Sequence, residues 1–317
     1  MTDMIKSVGK RTNIKSKLIP PLLLSTMIFL LLNAKESASE IRGGLSLVAH
    51  TVIPALFPHL VLSDLLVSHI NFSSINGRLS RAFTNIFKLP AAAAPIFLIG
   101  SICGFPVGAR VATDLYTRGI LTKSDAELLS AYGNQTSPAF VIAGVGAALF
   151  GSVKIGALFF ASEILAALIC LLISAPKRNK PTDTPINEVP LHPTSFVEAV
   201  RRASYSCLAI AGFILFFSLA TGIICRVFSS CSLLVSAFFE VTTACRVASL
   251  HLQSAHLLSL YTAAFAIGFG GLSAGMQTAL CLKEGGLSFR HYLSRKLLQG
   301  LFTLFCFFLL TILFPIC

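Results

Sequence analysis

The feature that most constrains this chain is a series of long apolar runs, several of which reach or approach the length that crosses a bilayer. A helix needs roughly 20 mostly apolar residues to span the hydrocarbon core. Across the chain, 55% of the residues are hydrophobic and only 12% are charged, and the mean hydropathy is +0.80. The sequence therefore predicts an all-α, polytopic integral membrane protein.

The apolar runs differ in length, and this difference sets the expected number of helices. The clearest spans are 18–33, 44–70, 155–174, 207–224 and 297–316. Shorter runs, interpreted as half-helices, helical hairpins or re-entrant segments, are 90–103, 136–150, 232–244 and 257–272. We expect roughly eight membrane-inserted helices, give or take two, because short apolar runs are ambiguous.

The net charge of +12 comes from cations that stand beside apolar runs. This placement indicates membrane orientation, and we expect a lipid-bilayer partner and no nucleic acid. Candidate cytoplasmic flanks are Lys6, Lys10, Arg11, Lys15, Lys17, Arg78, Arg81, Lys88, Lys177, Arg178, Lys180, Arg290, Arg295 and Lys296. The basic segment 1–17 is therefore predicted to be cytoplasmic. Since no small-residue cleavage site follows the first apolar run, we expect that run to be a retained helix.

Motifs for metal binding or catalysis are missing from the sequence. The nine cysteines form no CxxC pair, and they are interpreted as small hydrophobic residues. His50, His59 and His69 lack metal-ligand spacing. We expect no metal, no cofactor and no enzymatic activity, and the alternative left open is an intramembrane catalytic site built from scattered residues.

A polar segment divides the chain. Residues 175–195 contain five prolines and five charged residues, which predicts a soluble linker. It separates a first membrane half, 18–174, from a second, 196–317. The domain organisation is thus the basic segment, two membrane halves and the linker between them.

The two halves share a weak internal similarity. A shift of 136 residues places "RVAT" (110–113) on "RVAS" (246–249) and Ser137 on Ser273. The order of features also repeats. In each half a second helical stretch is followed by a break of small and polar residues, "GNQTSP" in the first half and "GFGGLS" in the second. We therefore predict two related halves.

Helix breakers interrupt apolar sequence in both halves. In "GFPVGAR" the breakers are Gly104, Pro106 and Gly108, and in the second half they are Gly270 and Gly271. A helix broken inside a membrane exposes backbone groups, which is tolerated only where protein or a water-filled cavity surrounds them. Paired breaks are typical of transport sites near the midplane, where helix N-termini favour anions.

The break "NQTSPAF" adds polar side chains to this prediction. Thr136 and Ser137 can cap the helix that follows, and Pro138 suits its first turn. Free N–H groups at such a helix start could bind a carboxylate. Gln135 lies in the same break.

Charged residues within apolar zones are expensive, costing at least roughly 2.5–3.5 kcal/mol each on insertion scales. Those that need a pathway or a partner are Arg110, Arg246, Glu240, Asp64 and Glu163. Arg110 has the alternative of an interfacial helix in which it pairs with Asp114. Glu240 is expected to couple a proton or cation or to balance an arginine, with a structural salt bridge as the alternative. Asp64 and Glu163 are interpreted as lying near helix ends or pairing locally.

Two further polar features concern a helix start and a candidate hydrogen-bonding side chain. Ser124 and Glu127 have the S-x-x-E spacing of a capping box, which predicts the start of an amphipathic helix. Gln277 follows Ser273 by about one helical turn. A hydrogen bond from Gln277 to a ligand and one to a neighbouring helix both stay open.

Residues 100–151 resemble the first core region of the YlbJ-type sporulation integral membrane proteins. That family pattern is G-[YF]-P-x-G-[AS]-[KR], an acidic-capped helix and an N-x-[ST]-[SP]-type break. In the second half, "FFEVTTA" and "FGGLSAGMQ" are similar to the family's E-x-T-x-G and F-G-G-[LI]-S-x-x-x-Q stretches. The resemblance covers most of the chain and departs at Ala244, where the family usually has glycine.

The resemblance implies a gate, or nucleoside-recognition-like, domain distantly similar to concentrative nucleoside transporters. The family is associated with endospore formation, and its members are implicated in moving dipicolinate toward the developing spore. The implied location is the bacterial cell membrane, including the mother-cell-derived forespore membrane. A small planar dianion also suits arginines, helix N-termini and hydroxyl donors.

Three hypotheses follow. In the first, the protein transports dipicolinate or a similar anionic solute, with a proton or sodium ion as the coupling ion. The predicted substrate-binding residues are Arg110, Gln135, Thr136, Ser137, Arg246, Ser273 and Gln277, with Glu240 coupling or balancing charge. In the second, the solute is a nucleoside or another neutral molecule and the arginines are structural. In the third, the protein is a membrane scaffold of a sporulation complex, and a homo-oligomer is open in each case.

Overall fold

The computed structural model describes residues 14–69, 77–175, 194–227, 232–252 and 256–316. The described residues form helices joined by short connections, without strands, which confirms the predicted all-α class. Most of the predicted linker 175–195 and most of the basic segment 1–17 lie outside the described residues.

The first membrane half contains eight α-helices and two π-helical segments among its described residues. The helices are α1 (Ile14–Leu32), α2 (Ala34–Leu47), α3 (Ile53–His69), α4 (Arg78–Phe87), α5 (Ala93–Cys103), α6 (Val107–Thr117), α7 (Lys123–Tyr132) and α8 (Val153–Ser174). The π-helical segments are π1 (Val48–Val52), between α2 and α3, and π2 (Ala139–Leu149), between α7 and α8.

The second membrane half contains six α-helices among its described residues. They are α9 (Phe196–Val227), α10 (Ser232–Phe239), α11 (Val241–Leu250), α12 (His256–Phe269), α13 (Gly271–Glu284) and α14 (Phe289–Leu313). Serine caps begin both α8 and α14, since the Ser152 and Ser288 hydroxyls each accept an N–H bond at 3.3 Å from the residue three positions on.

Four stretches of the described chain are long and apolar enough to cross a membrane: Val153–Ser174, Phe196–Arg226, Leu257–Glu284 and Phe289–Leu313. Leu18–Leu32 and Ala34–Val52, bent by 92°, would together make a fifth. These four or five candidates are fewer than the roughly eight membrane-inserted helices expected, because several apolar runs form short helices such as Ala93–Cys103 and Ala139–Leu149.

Three sequence predictions differ from the observed bounds. The expected span 44–70 is divided among the end of α2, π1 and α3. The expected short segment 257–272 continues through Gly270 into α13. The cap of α7 is Thr122 rather than Ser124, because the Thr122 hydroxyl accepts the Asp125 N–H at 3.2 Å.

Some helix boundaries recur at the 136-residue shift. The 136-residue shift carries Val153, where α8 begins, onto Phe289, where α14 begins. The same shift carries Gly104, after α5, onto Glu240, after α10. Each half therefore presents a broken helix pair, a second break and then a long apolar helix.

The long helices α8 and α14 pack against each other, and α14 also packs along α12. Phe159 of α8 stacks on Phe307 of α14 with ring centroids 4.7 Å apart, and both side chains are fully buried. Burial of such large aromatic side chains fixes the two helices together. This pair of helices is the support against which the breaks are held.

Candidate functional site

The break "GFPVGAR" joins α5 to α6 by a turn that requires glycine. Gly104 has φ +81°, in the region that favours glycine. Gly108 is required for a different reason, because a Cβ added there would lie 1.9 Å from the carbonyl oxygen of Gly133. The first break therefore lies directly against the end of α7.

The breaks of the two halves converge in space. A Cβ added at Gly104 would lie 3.0 Å from Ser137. One added at Gly270, which has φ +81°, would lie 2.9 Å from the ring of Phe105, and one at Gly271 would lie 3.2 Å from the Cα of Glu240. Gly104, Gly270 and Gly271 thus lie where the breaks meet.

Glu240 forms the second-half break between α10 and α11. Its carboxylate accepts the backbone N–H groups of Thr242 at 2.9 Å and Thr243 at 2.5 Å, and it is 1% exposed. The side chain therefore caps α11 at the positive end of that helix. The Thr243 hydroxyl is in turn bonded to that of Ser218 on α9, at 2.8 Å.

The converging breaks enclose a small cavity, called here the central cavity. Its polar lining residues are Thr136, Ser137, Glu240, Thr242, Ser273 and Gln277. Phe105, Ile210 and other apolar side chains complete the wall. The cavity volume is about 50 Å³, which is room for only a few water molecules.

Ser273 is the polar group of the central cavity that most clearly lacks a protein partner. It is 1% exposed, and its hydroxyl has no hydrogen-bond partner among the described residues. It lies in the first turn of α13, where backbone N–H groups of a helix are free. A buried, unpaired hydroxyl costs free energy unless a ligand or water satisfies it.

A larger space, called here the arginine vestibule, adjoins the central cavity. It consists of two cavities of about 240 and 520 Å³, which share Pro106, Arg110, Arg202 and Ser206 in their walls. The larger one also has Ile210 and Gln277 in its wall, and these two residues line the central cavity as well. The remaining charged residues of the vestibule are Asp64, Asp114, Arg118 and Glu284.

The vestibule arginines differ in their partners. Arg202 donates to the Glu198 carboxylate at 2.8 Å and lies 3.7 Å from that of Asp64. For Arg110, no carboxylate of the described residues lies within 4 Å, although Asp64 and Asp114 attract it over longer distances. The Arg110 guanidinium interacts with the Cys281 thiol and is left without a close carboxylate partner among the described residues.

Behind the first-half breaks, a buried polar network joins α7, α8 and α14. The Lys296 ammonium donates to the Asn134 carbonyl oxygen at 3.1 Å and to Gln299 Oε1 at 3.0 Å. Gln299 Nε2 donates to Gln135 Oε1 at 2.5 Å. Lys296 and Gln299 are both 0% exposed, so this network is sealed from solvent.

Glu163 of α8 supplies the negative charge of this network. The N–H of Thr136 donates to Glu163 Oε1 at 2.9 Å, and the Thr136 hydroxyl donates to Oε2. Glu163 is 0% exposed, and its charge attracts that of Lys296. The α8 carboxylate thus holds the break that lines the central cavity.

The predicted site residues are distributed over three places. Thr136, Ser137, Glu240, Ser273 and Gln277 line the central cavity. Arg110 lines the vestibule, and Gln135 lies in the buried network. Arg246 is half-buried on α11 and lines neither cavity of the described chain.

The sequence interpretation missed the roles of Glu163, Lys296 and Arg202. The sequence pattern places Lys296 among the cations that flank the membrane, whereas the structure buries its side chain completely. A signal was present, since Lys296, Gln299 and Thr303 recur at helical spacing in an otherwise apolar helix, and all three are 0% exposed. For Arg202, no pattern in the sequence distinguished it from a solvated cation near a helix start.

This fold and site define a multi-pass, all-helical membrane protein whose helix breaks meet around buried polar groups. The chain is 24% identical over 328 aligned residues to the sporulation integral membrane protein YlbJ of Bacillus subtilis (strain 168). The match covers 88% of this chain and 80% of that relative. It confirms the resemblance found in the motifs and supports assigning the chain to the YlbJ-type sporulation integral membrane proteins. No family model matches the chain, and no solved structure matches it.

Proposed function

We propose that the chain transports a small anionic solute, an aromatic dicarboxylate of the dipicolinate type, across a membrane during endospore formation. The observation that carries the proposal is the junction of the arginine vestibule with the central cavity at Gln277 and Ile210. An anion attracted by arginines on one side of this junction would meet hydroxyl and amide donors on the other. The proposed activity moves the solute without chemical conversion.

The vestibule is the proposed first binding place. A bidentate guanidinium matches the geometry of a carboxylate, and two carboxylates of one planar solute suit two arginines. Arg110 and Arg202 line the same cavity of about 520 Å³, which is large enough for a drug-sized molecule. We propose this pair in place of the Arg110 and Arg246 pair expected from the sequence.

The central cavity is the proposed passage between the two halves. The uncapped start of α13 and the unpaired Ser273 hydroxyl face it, and both favour a carboxylate oxygen. Its volume of about 50 Å³ is too small for such a solute, so passage requires the breaks to separate. The breaks and long helices that recur at the 136-residue shift support the movement of one half against the other.

The proposal also includes a role for Glu240 and an orientation of the chain in the membrane. Glu240 is proposed to balance charge, since its carboxylate is already bonded to the start of α11. A cytoplasmic basic N-terminal segment and a place in the mother-cell-derived forespore membrane are proposed from the positive flanks and from the sporulation relative.

One observation favours a second candidate function, the transport of a nucleoside or other neutral solute. The central cavity wall contains no arginine, lysine or histidine among the described residues. A neutral solute would need only the hydroxyl and amide groups found there. In this case the vestibule arginines would be structural.

Uptake of labelled dipicolinate into vesicles that contain the purified protein tests the proposal. The variants are Arg110→Gln and Arg202→Gln, with Arg246→Gln as a matched control outside both cavities. Loss of a charged hydrogen bond of about 1.5–3 kcal/mol predicts a roughly 10- to 100-fold rise in KM for the first two variants. The control should stay within about twofold of the wild type on the same reasoning.

Each outcome separates the hypotheses. If dipicolinate uptake is weakened equally in all three variants, or only in Arg246→Gln, the result contradicts binding by Arg110 and Arg202. Nucleoside uptake that survives all three substitutions, without dipicolinate uptake, favours the neutral solute. Absence of any uptake by the folded wild type favours the scaffold.

A further inference from the structure

The break after α7 ends a half-helix at Tyr132, and it leaves carbonyl oxygens at the negative end of that helix inside the protein. In membrane transporters with broken helices, such carbonyl oxygens coordinate sodium ions. Here the Tyr132 carbonyl accepts the Gln135 amide at 2.5 Å. The Asn134 carbonyl accepts the Lys296 ammonium at 3.1 Å.

The Lys296 ammonium is held by groups that also attract metal cations. It bonds to a second oxygen, Gln299 Oε1, at 3.0 Å, and it lies 5.0 Å from the centre of the Phe105 ring, whose face attracts cations. The counter-charge is Glu163, whose carboxylate attracts the ammonium and accepts the Thr136 N–H at 2.9 Å. Backbone carbonyl and side-chain amide oxygens, such as those of Asn134 and Gln299, are also ligands of hard metal cations.

We infer that Lys296 is a tethered cation that occupies the position of an alkali ion at the break after α7, so that this break is held together without bound sodium. The ammonium is covalently attached through α14, so it supplies the positive charge permanently. The inference does not depend on which solute the protein carries. It excludes sodium as an ion bound at this break. The sequence allows either sodium or a proton as the coupling ion.

The inference predicts that removing the ammonium creates a sodium site. Lys296→Met keeps an apolar stem and vacates the position of the ammonium, while Asn134, Gln299 and Glu163 remain. The Lys296→Met/Glu163→Gln double variant lacks the counter-charge as well. Lys283→Met is the matched control, because Lys283 is exposed near the end of α13.

The experiment measures the thermal unfolding midpoint of the purified full chain in detergent, in sodium chloride and in choline chloride at equal ionic strength. The wild type and Lys283→Met should have the same midpoint in both salts. The Lys296→Met midpoint should be higher in sodium by at least about 3 °C, as expected for an ion that binds the folded state. The double variant should lose most of this difference.

Two results would overturn the inference. One is an equal sodium-dependent rise in the wild type and in Lys296→Met, which would locate the sodium effect elsewhere. The other is a Lys296→Met protein whose unfolding midpoint is the same in sodium chloride and in choline chloride. A Lys296→Met protein that is unfolded in both salts, while the double variant folds, counts against the inference in the same way. Because no solute is present in this experiment, failure of the inference is distinguishable from failure of the transport proposal.

Discussion

Thr136 and Glu163 are 27 positions apart in the chain and are joined by two hydrogen bonds in the interior. Thr136 lines the central cavity, whereas Glu163 lies on α8, away from the cavity wall. A long apolar helix therefore holds the backbone of a helix break in place. The same carboxylate also balances the buried charge of Lys296.

Glu163→Gln is expected to destabilise the protein by about 3 kcal/mol, because it leaves a buried ammonium without its counter-charge. Thermal unfolding of the purified protein in detergent measures this loss. Glu284→Gln, at an exposed position at the end of α13, should change the midpoint little. Equal midpoints for both variants would show that the Glu163 charge is not needed.

Gly108→Ala is expected to destabilise the protein by about 1–3 kcal/mol or more, because the new Cβ overlaps a backbone oxygen. That oxygen, of Gly133, would lie 1.9 Å away. Gly212 on α9 is the control, since a Cβ there meets nothing within 4 Å. Gly212→Ala should therefore stabilise its helix by about 0.5–1 kcal/mol. A Gly108→Ala protein as stable as the wild type would refute the close approach of the breaks.

Ser273→Ala is expected to raise the KM for dipicolinate about three- to tenfold, because one hydrogen bond to the solute is lost. Stability should stay the same or increase slightly, since the hydroxyl has no partner among the described residues. Ser259→Ala is a matched control: this hydroxyl is equally buried and unpartnered, but it does not line the central cavity. An equal effect of both substitutions on KM would argue against a binding role for Ser273.

Glu127 gives an expected pH dependence. Although burial raises the pKa of this carboxyl, hydrogen bonds from His291 at 2.8 Å and the Ser288 N–H at 3.2 Å, together with the charges of His291 and Arg295, bring the pKa below its ordinary value of 4.5. Its helix, α7, is not a candidate membrane span. The stabilisation is therefore complete above about pH 4.5 and is lost as the pH falls through the lower, folded-state pKa.

The comparison of the wild type with Glu127→Gln tests this pH dependence. The wild type should have the higher unfolding midpoint near neutral pH, and the difference should shrink as the pH is lowered from about 5 to 3. A difference that stays constant over this range would assign the effect of the substitution to packing rather than to charge.

The helix breaks show how far sequence reasoning reached toward the site. Gly104 and Gly270 interrupt apolar sequence, and a broken helix in a membrane must be surrounded by protein or a cavity. That local rule predicts that each break faces protein or a cavity, and in the structure the breaks of the two halves lie close together. The same rule could not separate Arg246 from Arg202, because both are arginines beside apolar sequence, and the difference lies in which helices pack around each.

The sequence by itself determined that this chain folds in a membrane and that it is all-helical. Long apolar runs favour membrane helices, and glycines within those runs predict where the helices break. Only the tertiary structure decided which polar groups meet. Lys296 and Asn134 are 162 positions apart, and a lysine beside an apolar run has the same local pattern whether it flanks the membrane or is buried. Its partner exists only once α14 packs against the end of α7, because charge compensation depends on distance in space.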